Sequence, residues 1–145
     1  MVRSWRAVRA LTWRDRGLFL RAWLLLLVVA PGLRVFGFQG TQRALGVAEA
    51  PRGCRRGLDE AQAIARIVHA AANRNPLRPS CLARSIVLVH QLRRRGLAAE
   101  IRIGVAKPDG CFAAHAWVEH DGVALAETEA SRDAYAPLDA AVPAR

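Results

Sequence analysis

The 145-residue sequence predicts an α+β fold: helices come first, one carries a cysteine at its N-terminus, and a small antiparallel sheet follows. Three observations carry this. Apolar residues recur at helical spacing on both sides of the Pro76–Pro79 stretch. After Gly96 the apolar period changes to two. The two-period region is punctuated by Lys107-Pro-Asp-Gly110 and by Asp121-Gly122, both turn formers.

Residues 1–21 set Arg3, Arg6, Arg9, Arg14, Arg16 and Arg21 among Trp5, Val8, Leu11, Trp13, Leu18 and Phe19, an amphipathic helical spacing. Ala22–Ala30 is wholly apolar, and Pro31-Gly32 is expected to stop it. That run is shorter than the about 20 residues a bilayer span needs. A basic front before an apolar run also resembles a signal peptide, but Ala48-Glu-Ala50 lies far from the run and precedes Pro51, so export is the lesser reading. The preferred reading is one or two helices over residues 5–38 that pack on the rest of the chain. The alternative is a segment that docks on a partner protein or touches a membrane surface.

Phe38–Arg56, rich in Gly and small residues, reads as a linker or loop. The chain thus divides into a helical front segment and linker over 1–50 and a second part over 51–145. Asp59-Glu60 opens a helix whose Ala61, Ile64, Ile67, Val68 and Ala71 share one face, and Asn73-Arg-Asn-Pro76 ends it. Ser80 then reads as the N-cap of a helix containing Leu82, Ile86, Val89 and Leu92, with Arg93, Arg94 and Arg95 in its last turn and Gly96 as its stop. Cys81 falls in the first turn, where unpaired N–H groups and the positive dipole end favour a thiolate and offer donors to an oxyanion.

Ala99–Val105 alternates Glu100 and Arg102 with Ile101, Ile103 and Val105, a half-buried strand. Cys111–His120 sets Phe112, Ala114, Ala116 and Val118 on one face, and Cys111, Ala113, His115, Trp117 and Glu119 on the other. The hairpin loop decides what faces His115. A two-residue Asp121-Gly122 loop puts Glu127 opposite Ala116, whereas a three-residue His120-Asp121-Gly122 loop puts it opposite His115. The three-residue loop is expected, because it sets a carboxylate within reach of the imidazole N–H. Cys81, His115 and Glu127 then read as nucleophile, base and orienting acid, with Glu129 as fallback for the third. After Glu129 no periodicity remains, and a tail laid over the domain is expected.

Cys81-Leu-Ala-Arg on its helix, Arg95-Gly-Leu-Ala-Ala, the strand ending Ile103-Gly-Val and Ala114-His-Ala-Trp-Val-Glu119 followed by Asp121-Gly122 resemble the transglutaminase-like superfamily. Within it they are most similar to the stand-alone leader peptidases of lasso-peptide biosynthesis, over roughly residues 55–130. The resemblance implies a transglutaminase-like, papain-like cysteine protease core and a Cys-His-acid triad on Cys81, His115 and Glu127. The family's usual acid there is Asp, one methylene shorter. It also implies a precursor peptide as substrate, a small separate leader-recognition protein, because the chain is short for a recognition domain of its own, and a separate lasso cyclase.

The formal charge of +10 rests on arginine, with Lys107 the one lysine. It suits an acidic peptide or partner. The arginines are scattered without interleaved aromatics, so nucleic acid is not the expected partner. Three cysteines cannot all pair and none form Cys-x-x-Cys, which favours free thiols in a reducing cytoplasm, with Cys54 and Cys111 as bystanders. His69 and His90 are read as structural or surface residues. Neither they nor the Cys111, His115 and His120 group has a second ligand pair at metal spacing, so no metal or other cofactor is expected. Glu119 reads as a structural or solvated charge and Trp117 as core or pocket wall. The rival readings are an amidase or acyltransferase on the same triad, and a non-enzymatic peptide-binding module.

Overall fold

A computed structural model describes residues 12–45, 57–106, 111–126 and 135–137. Helix α1 spans Trp13–Ala44 and opens on a reciprocal capping box, in which Asp15 N–H donates to the Thr12 hydroxyl (3.3 Å) and Thr12 N–H donates to the Asp15 carboxylate (3.2 Å). The expected stop at Pro31-Gly32 does not occur, and the expected Phe38–Arg56 linker is helical as far as Ala44, its part from residue 46 on lying outside the described residues. A proline in a helix removes one backbone bond, a cost that packing on both sides can offset. Leu18, Ala22, Leu26 and Val29 are buried before it and Thr41 after it. The helix instead breaks at Gly37, whose φ of 67° is open to glycine at little cost. The Thr41 hydroxyl donates to the Gly37 carbonyl at 2.7 Å, satisfying a group at the break.

Helix α2 (Leu58–Asn73) buries Ala61, Ile64, Ile67, Val68 and Ala71 as the spacing predicts, together with Ala65 and Ala72. Alanine at four of these positions lets α2 lie close to its neighbours. Where it ends, Trp23 Nε1 donates to the Arg74 carbonyl (3.3 Å) and Asn75 Nδ2 donates to the Trp23 carbonyl (3.1 Å). This pair of bonds ties the middle of α1 to the turn that leads to Cys81.

Helix α3 (Cys81–Arg93) begins at Ser80, whose hydroxyl accepts from Ala83 N–H. Beyond it, Gly96 adopts φ 73° and Leu97 N–H returns to the Leu92 carbonyl, as the sequence leads one to expect of a glycine-terminated helix. Ser85–Val89 are buried without interruption, because α3 is central: α1 and α2 cover one side and the sheet the other.

The sheet has the order β3-β2-β1-β4, all antiparallel. Strand β1 (Glu100–Ala106) pairs with β2 (Ala113–His120) so that Ile103 faces Ala116 and Gly104 faces His115. Strand β3 (Val123–Ala124) pairs Glu119 with Ala124 and His120 with Val123. The loop is therefore Asp121-Gly122, two residues and not the expected three. Asp121 and Gly122 have φ of 50° and 79°, the left-handed pair whose twist matches the strands. Strand β4 (Ala136–Pro137) comes from the tail in which no element was expected, and Pro137 fits at the sheet edge.

By length and composition alone α1 is long and apolar enough to cross a membrane, as are core helices of soluble proteins and signal sequences. Its inner face joins the same core as α2, α3, Val118 and Leu125, so from Trp13 on the front segment packs on the rest of the chain as expected, residues 5–11 lying outside the described residues.

Burial first, then the Arg94 and Arg21 guanidiniums, push the His90 imidazole below its usual range, against a hydrogen bond with the Leu45 backbone. The unfolded chain therefore takes up this proton before the folded one does. Stability should be undiminished above about pH 6.5 and fall as the pH drops below it. Urea unfolding at about pH 7.5 and about pH 5.5 checks this: His90→Gln should lose less stability on acidification than the natural chain, and equal losses would remove His90 as a cause.

Candidate active site

The Ser80 hydroxyl occupies Ala83 N–H, which leaves the N–H groups of Cys81 and Leu82 as the first-turn donors with no intrahelical partner. The Cys81 thiol stands beside them, half-buried. Arg84, one turn on, donates from Nε to the Pro79 carbonyl at 3.1 Å and so braces the loop before the cysteine. The thiol is held at the positive end of a helix by a short, well-capped turn.

One turn into α3, buried Ser85 donates its hydroxyl to the Ala116 carbonyl at 3.2 Å. Cys81 and Ser85 share a helix face, and Ala116 follows His115 on β2, so this bond brings the thiol face of α3 against the histidine strand. Cys81 and His115 border one cavity of about 40 Å³, together with His69, Arg84 and Trp117. That volume holds a water or a single functional group. Residues 115–118 of β2 all border it, and so does Leu125, whose N–H makes the last bond to the Val118 carbonyl before Ala126 leaves the strand with φ 55°. The site lies where the hairpin ladder ends.

His115 is gripped by aromatic rings. Its ring centroid is 6.1 Å from that of Trp117, nearly parallel at 21°, and 5.3 Å from that of Tyr135 at 36°. Trp117 is fixed in turn, because its Nε1 donates to Glu119 at 3.0 Å and Arg102 Nε donates to the other carboxylate oxygen at 3.1 Å. Glu119 is thus a structural charge and Trp117 a wall, as the sequence suggested. Gly104 makes the arrangement possible: a Cβ there would lie 2.8 Å from the Trp117 ring and 2.9 Å from Tyr135 Cβ.

The structure sets Cys81 and His115 on the border of one cavity. Glu127, and its fallback Glu129, lie outside the described residues. With the loop at two residues, and with the chain leaving the strand at Ala126, the register argument that set Glu127 opposite His115 no longer holds. Cys111 is exposed, and Cys54 lies outside the described residues. His120 is buried, and its Nδ1 donates to the Ala98 carbonyl, tying the end of β2 to the turn before β1. Sequence reasoning set His69 aside as a structural or surface residue and did not single out Ser85, Gly104 or Tyr135. Only Gly104, a glycine inside a strand pattern, carried a signal that something approaches closely.

The family model described as transglutaminase-like superfamily matches residues 23–140. No curated protein and no solved structure matches the chain.

Gly104→Ala should displace Trp117 and Tyr135 and, through them, His115. Unfolding free energy should fall by about 1–3 kcal/mol, and alkylation of Cys81 by iodoacetamide should slow relative to that of Cys111. Unchanged alkylation in a destabilised variant would mean that the ring clamp does not position His115 relative to the thiol.

Proposed function

The chain belongs to the transglutaminase-like superfamily, and on that premise we propose that it is a cysteine peptidase that cuts the leader from a lasso-peptide precursor. One observation carries the thiol chemistry: Cys81, at the amide end of α3, and His115, on β2, border the same cavity. The narrower reading of the substrate is supported by the resemblance of the Cys81-Leu-Ala-Arg and Ala114-His-Ala-Trp-Val-Glu119 stretches to the stand-alone leader peptidases.

In this mechanism His115 accepts the Cys81 proton and the thiolate attacks the scissile carbonyl. The Cys81 and Leu82 N–H groups stabilise the oxyanion. His115 then returns the proton to the departing amine as the C–N bond breaks, leaving a thioester. Water, deprotonated by His115, attacks the thioester and releases the leader carboxylate and the free thiol. Glu127 is the proposed orienting acid. A cavity of about 40 Å³ accepts the reacting group rather than a whole side chain, so the precursor lies along the surface as an extended chain. A separate small protein presents the leader, and a separate cyclase takes the freed core amine. No metal or other cofactor enters the reaction.

The family match equally suits transfer of the acyl group to an amine, which uses the same Cys81 thioester. The products separate the two: an amine adduct differs in mass from a hydrolysed peptide.

The test is a mass-spectrometric cleavage assay on the precursor peptide encoded nearest this gene, with and without the neighbouring leader-binding protein. One cut, stimulated by that protein, is expected. Cys81→Ala should abolish it while leaving the far-ultraviolet circular dichroism unchanged, and His115→Ala should slow it by about a hundredfold or more. Glu127→Gln should leave a weakened enzyme; full activity there with a dead Glu129→Gln would move the acid to Glu129. A precursor left intact in every mixture by a folded protein would exclude the leader-peptidase reading.

A further inference from the structure

Away from the thiol, a second cavity of about 320 Å³ opens between the N-terminal part of α1 and the end of α3. Arg14 and Arg21 line it from α1, and Arg94 and Arg95 from beyond α3, with Gln91 between them. Among the described residues, no carboxylate lies within ion-pair distance of Arg14, Arg21 or Arg94, and Arg95 has one exposed partner, Glu60, at 3.1 Å. Such exposed pairs hold little energy and are readily exchanged. Gln91 is only 3% exposed, and among the described residues its amide nitrogen has no hydrogen-bond partner, an uncommon state for a buried donor. A cavity lined by four guanidiniums and a buried donor that lacks an acceptor is built for an anion.

The local field agrees. Arg94 and Arg21 both act to lower the His90 pKa, so the region is electropositive. The carbonyl end of α3 opposes this with about half a negative charge, and the amide end of α1 adds about half a positive one. Against four full charges neither decides the sign. Gly17 also lines the cavity, and a Cβ built there meets nothing within 4 Å, so the entrance is open.

What continues from the cavity says which anion. On the outer side of α1, Leu20, Leu24, Val28 and Val35 are 57%, 50%, 67% and 73% exposed. Their spacing of four, four and seven puts them on one face. That row runs along the helix from the level of Arg21 for about 22 Å. A soluble anion uses only the cavity. A molecule with an anionic head and hydrocarbon tails uses both the cavity and the row, and an amphipathic helix of this kind lies in the boundary layer of a bilayer.

We propose that Arg14, Arg21, Gln91, Arg94 and Arg95 form a binding site for the phosphate of an anionic phospholipid headgroup, with the Leu20–Val35 face of α1 in the adjoining acyl layer. The site is independent of the thiol chemistry and places the Cys81 cavity on a protein held at a membrane surface.

Co-sedimentation of the full chain with vesicles tests this, using phosphatidylcholine alone and phosphatidylcholine mixed with phosphatidylglycerol. Partitioning onto the mixed vesicles only is expected. Arg14→Gln, Arg21→Gln and Arg94→Gln should each weaken it by about tenfold or more. Arg66→Gln removes the same charge from an exposed position on α2 that does not line the cavity, and should weaken it by no more than about fivefold. Unchanged iodoacetamide labelling of Cys81 reports that each variant is folded. Equal losses for Arg66→Gln and the cavity variants would replace the site by general charge attraction. Equal binding to both kinds of vesicle would leave the apolar face acting alone and overturn the site. Inorganic phosphate raising the thermal midpoint, with no recruitment to either vesicle, would make the site one for a free anion and overturn its assignment to lipid.

Discussion

The hydrogen bond from Ser85 to the Ala116 carbonyl is the contact on which the site depends. It is buried and joins residues 31 positions apart, one turn after the thiol and one residue after the imidazole. A helix can cap itself and a hairpin can close itself from local sequence, but neither can tell the other where to stand. Losing this hydroxyl would leave a buried carbonyl without its donor, a penalty of about 1–3 kcal/mol. Nonspecific packing of Ile86 or Val89 tolerates small slides, whereas a directed bond does not. That difference turns an apolar contact between α3 and the sheet into a defined approach of Cys81 to His115.

Around this tether, rigidity is supplied in layers. Arg102 holds Glu119, Glu119 holds the Trp117 indole, and Trp117 and Tyr135 grip the His115 ring. Gly104 is the gap that lets these rings come so near the strand. On the other side of α3, the Trp23, Arg74 and Asn75 bonds fix the turn before Cys81 to α1. The long front helix is therefore part of the scaffold that holds Cys81, and its outward apolar face is a separate property of the same element. One face of α1 answers to the core and the other to whatever lies outside.

The cysteine helix, its Ser80 cap and Gly96 stop, the buried face of α2 and the two long strands were all legible in the sequence, because each is set by periodicity and by residues a few positions apart. The resemblance and the order of Cys81 and His115 were legible for the same reason. Two readings failed where a local rule met a tertiary one, and the tail expected to lie over the domain also supplies a strand. Pro31 is a helix stop only when nothing packs beyond it, and Thr41 and its neighbours do. The hairpin length turned on whether Asp121 would take the left-handed conformation, which two loop lengths left open. The tail offered no periodicity, since a two-residue edge strand is too short to show one.

What the sequence determined by itself is the chemistry available: a thiol at a helix N-terminus, an imidazole on the following sheet, an arginine-rich and apolar front. Only the tertiary structure decided the assembly. It put Tyr135 against His115, opened Gly104 beneath Trp117, and gathered Arg14 and Arg21 with Arg94 and Arg95 around one cavity. Those groups lie between 13 and about 80 positions apart in the chain. Local forces act over one turn of helix or one strand pair, so nothing in the order of residues marks such groups as neighbours until the core has closed.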